Sequence, residues 1–529
     1  MICQDLDLRS YRRHVTNTQC QDFIQFWDHE IIRDPSLNNT GKITNTAQKA
    51  KQTTMNLPRF FTIAALLLGA TGCNRTDYSW ESDLQHRLAL DFCRTRAEVT
   101  EYIHKYIPEA NDSMITAWTK SGKLEAMTLD GELRYFKNAA PNLFRIDKYC
   151  NKRKEAITGK ITSTYHNLGE QNIQKIAEDI RSGKNADKDA TTKPGGYLSG
   201  DKYIGEPVRM RVRYTLTVDP GAVPDGEIIR CWLPYPRTDV PRQKDVKFIE
   251  AGWTTRPTNS ASPQYFRTEL KDAEGITFSG NASPHSSLYM EAKASSGWPT
   301  VFYEEFEYTC YGEWFPLGIT PEDTDNIHKN TKDIQATKPE QYLGEREKHI
   351  IFTPEIIALR DSLTQGISEP VLKAKAFYEW IDANFPWASA REYSTIPNIP
   401  EYVLANGHGD CGQVSLLFIT LCRSAGIPAR FQSGFMMHPG DDGLHDWSEI
   451  WLEEYGWVPV DQSFGGEHYL GAIDSYRFVV NNDYGQEFIP KKKYPRSETV
   501  DFQRGEVEWK GGNLYFDNWD YKMEITYVK

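Results

Sequence analysis

The chain has 529 residues, a formal net charge of −12, 39% hydrophobic residues and 25% charged residues. This length exceeds what a single hydrophobic core supports, so we expect a globular protein of several domains. The acidic balance offers no basic surface to a polyanion, so nucleic acid is excluded as an expected partner.

The N-terminal stretch is typical of a targeting segment. Residues 1–54 are polar and aperiodic, and we interpret them as an upstream extension outside the fold, with translation starting at Met55; the alternative is a genuine cytosolic extension. Residues 55–73 have a basic residue, a short apolar run and small residues before Cys73, the pattern of a lipoprotein-type signal peptide. The sequence therefore predicts a bacterial cell-envelope protein, periplasmic or at the surface, held to the membrane only by a lipid at Cys73.

Residues 74–181 are predicted to form a helical domain, because apolar side chains such as Val99, Ile103 and Ile107 recur at helical spacing. The polar, Gly- and Pro-containing segment 182–204 is typical of a linker. In an oxidising compartment Cys93 and Cys150 are candidates for one disulfide, although sequence alone leaves the connectivity open.

Residues 205–315 are predicted to form a β-sandwich domain. Apolar and polar residues alternate from Val208 to Val218, the period of a half-buried strand. The arginines in this alternation are interpreted as the solvent face of the strand rather than as a binding patch. Cys231 and Cys310 lie in strand-like runs of this region and are candidates for a second disulfide.

Residues 316–480 are predicted to form the catalytic core, and 481–529 a C-terminal β extension that packs on the core or on the sandwich. Thr353 and Pro354 mark the start of one helix in this core. Cys411 begins a second amphipathic helix, since apolar residues follow it at helical spacing. A thiol at a helix N-terminus is stabilised as thiolate by the helix dipole and by free N–H groups, so we expect Cys411 to have a lowered pKa.

His445 and Asp461 are predicted to lie on the two strands of one β-hairpin. If Leu452 pairs with Gly456, Asp461 lies opposite Trp447 and one diagonal step from His445, on the same face. A carboxylate in that position orients the imidazole, which leaves the other ring nitrogen to serve the thiol. A hairpin loop of two residues would put the two side chains on opposite faces.

Four segments together resemble the core of the bacterial transglutaminase-like superfamily. They are Gly409–Gln413, Leu421–Arg430, His445–Glu449 and Gly456–Asp461. The resemblance covers roughly 350–465 and implies an α+β protein with a papain-like transglutaminase core. It also implies Cys411 as nucleophile, His445 as general base and acid, and Asp461 as orienting carboxylate, with no cofactor and no metal ion.

One residue departs from this pattern. Asp446 stands where the family more often has a small apolar residue, and we expect it either to raise the imidazole pKa or to face solvent. Other candidates carry less weight. His408 is interpreted as an exposed loop residue, His438 and its acidic neighbours as turn residues rather than metal ligands, and Trp387 and Tyr393 as core residues rather than as lining of an oxyanion site.

Three functions remain open at this level. The first is hydrolysis of peptide or side-chain amides through a thioester at Cys411, as in a peptidase or amidase. The second is transfer of the acyl group to an amine, which crosslinks proteins, and the third is a non-catalytic envelope binding protein. Because bacterial members of the superfamily are in many cases thought to be protease-like, the resemblance favours hydrolysis of a protein or peptide substrate, by a chain expected to be a monomer.

Overall fold

The computed structural model describes residues 80–159, 166–181, 202–255, 265–267, 276–320, 338–466 and 468–528. The predicted upstream extension, the signal peptide with Cys73 and most of the predicted linker lie outside these ranges. Within them, no helix combines the length and the hydropathy that crossing a bilayer requires.

The N-terminal region is mainly helical but contains a β-hairpin that the sequence analysis did not predict. Its elements are α1 (Trp80–Asp91), α2 (Arg96–His104), α3 (Asp112–Lys120), β1 (Ala126–Leu129), β2 (Glu132–Tyr135), α4 (Ala139–Ile146), α5 (Lys148–Thr158) and α6 (His166–Arg181). The hairpin turns at Asp130 and Gly131, both with positive φ. An Asp-Gly pair between two short runs is the sequence signal of this turn.

Two five-stranded antiparallel sheets follow. The strands in this part of the chain are β3 (Tyr203–Ile204), β4 (Val208–Val218), β5 (Ile228–Pro234), β6 (Gln243–Thr254), β7 (Tyr265–Arg267), β8 (Ile276–Phe278), β9 (Ser287–Lys293), β10 (Thr300–Cys310) and β11 (Glu313–Trp314). One sheet contains β4, β10, β6 and β7, and the other contains β5, β9 and β8. Apolar side chains from both sheets share one hydrophobic cluster, as in a sandwich.

A helical layer and a four-stranded sheet come next. They comprise α7 (Pro354–Leu363), α8 (Pro370–Asn384), α9 (Ile399–Asn406), α10 (Cys411–Ser424), β12 (Ala429–His438), β13 (Asp441–Leu452), β14 (Gly456–Val460) and β16 (Arg477–Asn481). Strand β15 (Ala472–Ile473) belongs instead to a three-stranded sheet with β11 and β3. The sheet order is β14-β13-β12-β16, all antiparallel. Helix α7 begins at the predicted cap, where Thr353 Oγ1 accepts from the backbone N–H of Ile356. Together the helices and sheets confirm the predicted α+β class.

The chain ends in β17 (Glu506–Trp509), β18 (Gly512–Leu514) and β19 (Trp519–Val528). Strand β19 pairs with β4, and β17 pairs with β5, so the C-terminal strands complete both sheets of the sandwich. The last strands of the chain therefore pair with strands some 270 to 320 positions earlier, and the four-stranded sheet lies between them in sequence.

Neither suggested disulfide is present. Cys93, Cys150, Cys231 and Cys310 are all free thiols. Cys231 lies on β5 and Cys310 on β10, in different sheets, and the Cys310 sulfur instead accepts a hydrogen bond from Arg242 Nη1 at 3.2 Å. Cys150 is buried in the helical region whereas Cys93 is exposed. Shared location in a domain is thus a poor guide to pairing, which needs close Cα atoms and converging side chains.

Glu304 is a polar exception inside the sandwich. It lies on β10, on the inward face of the strand, with no exposed surface, and neither carboxylate oxygen has a hydrogen-bond partner. Burial raises the pKa of Glu304 well above its usual value. The side chain is therefore a neutral carboxylic acid whose desolvation is uncompensated, which destabilises the folded state.

We expect Glu304→Met to stabilise the protein by about 1 to 3 kcal/mol, and by more at pH 8 than at pH 5. The pKa of Glu304 is higher in the folded than in the unfolded chain, so wild-type stability falls as pH rises above the ordinary value of 4.5. Thermal unfolding at both pH values measures this. Glu305→Met is the matched control, because Glu305 points to the opposite face and pairs with Arg211 and Arg213. An equal response of both variants would contradict the prediction.

The helical region holds the segment that precedes Cys411. Asn142 exchanges two hydrogen bonds with the backbone of Ser389, at 2.8 and 3.0 Å, and the Arg145 guanidinium stacks on the Trp387 ring. Trp387 in turn forms a parallel bridge with Gly409. The N-terminal region therefore supports the loop from which the candidate nucleophile emerges.

Candidate active site

Helix α10 begins at Cys411, as the sequence predicts. Asp410 is its N-cap: the carboxylate accepts from the backbone N–H of Gln413 at 3.0 Å, and Gln413 Oε1 accepts from the backbone N–H of Asp410 at 3.2 Å. This reciprocal capping box fixes the helix start. Asp and Gln three residues apart are its sequence signal, which the sequence analysis did not use. The cap places the thiol at the first position of a buried helix.

The hairpin of β13 and β14 has the predicted register, with Leu452 paired to Gly456. Asp461 directly follows Val460, the last paired residue of β14. Its side chain lies on the face of the hairpin that carries His445. His445 Nε2 donates to Asp461 Oδ2 at 2.7 Å, and both side chains are buried. Because a carboxylate only accepts, Nε2 carries the proton and Nδ1 keeps its lone pair. The predicted contact between imidazole and carboxylate is confirmed.

A buried arginine that the sequence analysis missed completes this arrangement. Arg477 Nη1 donates to Asp461 Oδ2 at 2.8 Å, and its Nη2 donates to Asp474 Oδ2 at 2.8 Å. Asp474 also contacts His438 Nε2 at 3.2 Å. None of these side chains is measurably exposed. One guanidinium thus bridges two carboxylates, one of which orients His445.

Charge and burial act against each other in this network. Burial pushes the pKa of Asp461 up, but the charges of His445 and Arg477 push it further down, so it is lowered overall. Burial lowers the pKa of His445, and the opposing effect of Asp461 does not restore it. The resting imidazole is therefore neutral, as a general base must be before it accepts a proton.

The thiol has a different partner from the one expected. Cys411 Sγ donates to Asp446 Oδ2 at 3.5 Å. In the part of the chain that the structure describes, no hydrogen bond joins Cys411 to His445. His445 and Asp446 are consecutive on β13, so their side chains leave the strand on opposite faces. The structure thus brings His445 and Asp461 together, and it places the Cys411 thiol against Asp446.

The prediction of a lowered thiol pKa is wrong for this state. Burial raises the pKa of Cys411 well above its usual value, and the carboxyl groups of Asp446 and Asp410 raise it further. A hydrogen bond from the Asp446 backbone acts in the opposite direction but is outweighed. The stabilisation of a thiolate by a helix dipole is modest beside the loss of its hydration. The resting site therefore holds a neutral thiol.

Asp446 neither faces solvent nor raises the imidazole pKa, so both expectations for it are wrong. It is buried, and Gln503 Nε2 donates to its Oδ1 at 2.9 Å. Burial raises the pKa of Asp446 well above its usual value, and the acidic side chains of Asp501 and Asp410 add to the effect. Asp446 is thus a buried acid whose two oxygens accept hydrogen bonds from the Cys411 thiol and the Gln503 amide.

Gly412 makes this contact sterically feasible. A Cβ atom at this position would lie 2.6 Å from Asp446 Oδ2 and would also overlap the Tyr393 hydroxyl. Any side chain here would push the carboxyl group and the ring away from the helix start. The glycine therefore permits the close approach of β13 to the first turn of α10.

These pKa directions give a testable alkylation profile. At pH 7 we expect iodoacetamide to modify Cys411 more slowly than the exposed Cys93, and the Cys411 rate to rise steadily into the alkaline range as thiolate forms. Peptide mass mapping after timed quenching measures both rates in one sample. Faster labelling of Cys411 than of Cys93 at pH 6 would contradict a neutral resting thiol.

The other residues singled out in the sequence lie near the helix start or in buried positions. His408 is buried rather than exposed, and burial lowers its pKa to about 4. No group of His, Cys, Asp and Glu within the described ranges has the arrangement of a metal site, and His438 is bound to Asp474. Tyr393 donates to Asp410 Oδ1 at 2.6 Å and so supports the helix cap. The Trp387 indole N–H has no hydrogen-bond partner.

Comparison with known proteins agrees with this geometry. A sequence model described as the transglutaminase-like superfamily matches residues 357–462, from α7 to the end of β14, and includes Cys411, His445 and Asp461. Residues 357–462 therefore form a transglutaminase-like domain. The transglutaminase-like core matches no more than the central part of the chain, so the N-terminal helical region and the sandwich are additions to it.

The chain is also similar to two uncharacterised bacterial proteins. It is 23% identical to one from Haemophilus influenzae over 241 residues, which are 39% of this chain and 63% of that protein. It is 20% identical to YebA of Bacillus subtilis over 273 residues, which are 38% of this chain and 37% of YebA. The chain thus matches less than two thirds of the length of either relative.

Among solved structures, a candidate cysteine protease from Cytophaga hutchinsonii aligns at 12% identity and a TM-score of 0.35, over 62% of this chain and 93% of that one. The periplasmic domain of TgpA from Pseudomonas aeruginosa aligns at 15% identity and a TM-score of 0.23, over 47% of this chain and 93% of the domain.

Proposed function

We propose that this protein is a cysteine hydrolase that cleaves peptide or side-chain amides through a thioester at Cys411. The observation that carries the proposal is the buried hydrogen bond between His445 Nε2 and Asp461 Oδ2. Asp446, the residue that follows His445 on β13, contacts the Cys411 sulfur. The match of residues 357–462 to the transglutaminase-like superfamily supports the same chemistry.

Each residue of the site has a defined task in this reaction. Asp461 holds the imidazole with Nδ1 unprotonated, and in this reaction the thiol must leave its resting contact with Asp446 before it gives its proton to that nitrogen. Because thiol and imidazole are both neutral at rest, this transfer accompanies the attack of sulfur on the substrate carbonyl instead of preceding it. The backbone N–H groups of Cys411 and Gly412, at the start of α10, lack intrahelical partners and provide donors for the oxyanion, whereas that of Gln413 is bound by Asp410. The amine then leaves, and water resolves the thioester.

Substrate access is consistent with this role. Cys411 is partly exposed, whereas the following residues of α10 are buried almost without exception. We propose that a substrate approaches from the exposed side of Cys411 while the helix behind it stays packed. Cys422, in the same helix, is fully buried and serves only as a packing residue.

The decisive experiment compares wild type with Cys411→Ala, using the full chain. Casein is incubated with each protein, with and without a labelled primary amine, and peptides, released ammonia and incorporated label are measured. We expect wild type to release peptides or ammonia with little label incorporated, and Cys411→Ala to do neither. Cys422→Ala is the control, and we expect it to retain activity.

Three results would overturn the proposal. Covalent incorporation of the amine as the main product would establish acyl transfer instead of hydrolysis. Equal release by wild type and Cys411→Ala, or no reaction of wild type, would remove the thioester and favour a non-catalytic envelope protein.

We also propose that the mature protein is a lipoprotein of the bacterial cell envelope, anchored at Cys73. The support is the signal-like segment 55–73, with small residues before that cysteine. Labelling with a fatty-acid analogue in a bacterial host, for wild type and Cys73→Ala, tests this. Label in wild type alone is expected, and a mature protein that retains residues 1–54 would refute it.

A further inference from the structure

We propose that Asp446 controls the reactivity of the nucleophile: its carboxyl group restrains the Cys411 sulfur as a thiol, on the face of β13 opposite to His445. The inference rests on the proposed hydrolysis at Cys411 and deepens it, because it names the residue that decides when the sulfur can react. In this role Asp446 only accepts hydrogen bonds and transfers no proton.

The Cys411 sulfur contacts two groups of the same residue. Its thiol donates to Asp446 Oδ2 at 3.5 Å, and the backbone N–H of Asp446 donates to the sulfur. The two contacts have opposite effects, because an N–H donor stabilises a thiolate whereas a carboxyl acceptor stabilises the thiol. Removal of the carboxyl group would therefore leave the sulfur with the donor alone.

Gln503 fixes the orientation of this carboxyl group. Its Nε2 donates to Asp446 Oδ1 at 2.9 Å, and it also lies 2.8 Å from the backbone oxygen of Gly434 and 3.0 Å from that of His445. Since all three neighbours are acceptors, the amide of Gln503 cannot exchange its nitrogen and oxygen without losing these contacts. Oδ1 is thus bound by Gln503, and Oδ2 faces the sulfur.

The first turn of α10 keeps the sulfur against the carboxyl group. Gly412 allows β13 to approach so closely that a Cβ atom there would lie 2.6 Å from Asp446 Oδ2. Tyr393 donates to Asp410 Oδ1 at 2.6 Å and so fixes the residue that precedes Cys411. The contact is therefore packed from both sides, while the Cys411 side chain remains partly exposed to reagents.

The restraint holds for either charge state of Asp446. A carboxylate would repel a thiolate, and a neutral carboxyl group would still accept from the thiol through Oδ2. The titratable and charged groups around the sulfur and Asp446 are Asp410, Tyr393, Asp461, Asp501, Glu498, Arg504 and Arg496. Arg504 is bound by Glu392 and Glu498, so the acidic groups dominate and oppose a negative charge on the sulfur.

The consequence for the reaction is a resting site that cannot react until the contact between Cys411 and Asp446 breaks. While Oδ2 accepts from the thiol, the sulfur stays away from the face of β13 on which His445 and Asp461 lie. Loss of this contact therefore precedes the transfer of the thiol proton to His445 in the proposed reaction.

The test replaces the acceptor at the sulfur with a donor of the same size. In Asp446→Asn the amide oxygen must face Gln503, so the NH₂ group faces the sulfur. We expect iodoacetamide to modify Cys411 at pH 7 at least about 3-fold faster than in wild type, the gain that remains from about tenfold more thiolate once its weaker nucleophilicity is counted. The rate should also level off at a lower pH. Peptide mass mapping from pH 6 to pH 10, with Cys93 as internal reference, measures both effects.

Two further variants control for access and for charge. Asp446→Ala removes the acceptor and keeps the backbone donor, so we expect faster labelling of Cys411 here as well. Asp442→Asn removes the same charge from an exposed position on β13, and we expect the wild-type rate. Asp446 has no ion pair within the described ranges, so its replacement leaves no buried charge without a partner. Thermal unfolding of each variant confirms that it is folded during labelling.

The shape of the pH profile decides between ionisation and access. Faster labelling that levels off at lower pH in either folded Asp446 variant supports the restraint. An unchanged or slower rate would overturn it, and so would a rate raised by the same factor at every pH, which reports easier access to the sulfur. Equal acceleration in Asp442→Asn would also overturn it. Labelling requires no turnover, so failure of wild type to cleave casein would refute the proposed hydrolysis alone.

Discussion

Replacing Asp461 with Asn is expected to lower kcat/KM by about 1,000- to 10,000-fold, the range found when the carboxylate that orients a catalytic imidazole is converted to an amide. Asp461 accepts from four donors: His445 Nε2, Arg477 Nη1 and the backbone N–H groups of Ser463 and Phe464. An amide must turn its NH₂ group toward two of these donors in either orientation. The imidazole then loses its preferred tautomer, and Nδ1 no longer offers a lone pair.

The matched control is Asp474→Asn. Asp474 contacts the same Arg477 guanidinium and is equally buried, but its histidine partner is His438 and not His445. Both variants remove one negative charge beside Arg477, so we expect both to lose stability. Only Asp461→Asn should lose most of its activity when rates are compared below the unfolding temperature. Equal losses of activity would show that the charge network matters for folding alone.

The hairpin that carries His445 and Asp461 could be predicted from sequence because its information is local. Alternation fixed which residues share a face, and a single choice of loop length fixed the register. Helix α10 was predictable for the same reason, since its apolar spacing and capping residues lie within one short stretch.

The environment of the thiol was not predictable, because it depends on residues distant in sequence. Asp446 is adjacent to His445, but its role depends on Gln503, which approaches from the C-terminal segment. The raised pKa of Cys411 follows from burial, a property of the packed structure. Sequence reasoning had weighed only the dipole of the helix on which the thiol sits.

Arg477 was missed for a related reason. It lies on β16, which pairs with β12 and not with the hairpin, so no periodicity connects it with Asp461. An arginine in a strand is most simply interpreted as solvent-facing, as the arginines of β4 are. Only the packed structure shows that this one is buried between two carboxylates.

Arg477→Met is expected to destabilise the protein by about 3 to 5 kcal/mol, because removing one partner of a buried ionic network leaves the others uncompensated. Asp461 and Asp474 each accept from the guanidinium at 2.8 Å. Burial alone raises the pKa of Asp474, but Arg477 and His438 hold it well below its usual value. Without Arg477 both carboxyl groups should have higher pKa values. Chemical denaturation at pH 7 and at pH 4.5 measures the effect.

The sign of the pH dependence follows from linkage. In wild type the lowered pKa values of both acids contribute stability that is present at neutral pH and is lost as pH falls through their folded values. At pH 4.5, above the unfolded value of 3.8, wild type keeps that contribution. In Arg477→Met burial raises both pKa values, so the two acids destabilise the folded state more at pH 7 than at pH 4.5, and the difference in stability between the two proteins should narrow at pH 4.5. Arg430→Met is the control, because Arg430 on β12 pairs with the single carboxylate of Glu449 and contacts neither acid. Two outcomes would show that Arg477 acts by packing against Trp447 and Phe464 and not by its charge. One is a difference in unfolding free energy between wild type and Arg477→Met that is the same at both pH values. The other is an equal loss of stability in Arg430→Met.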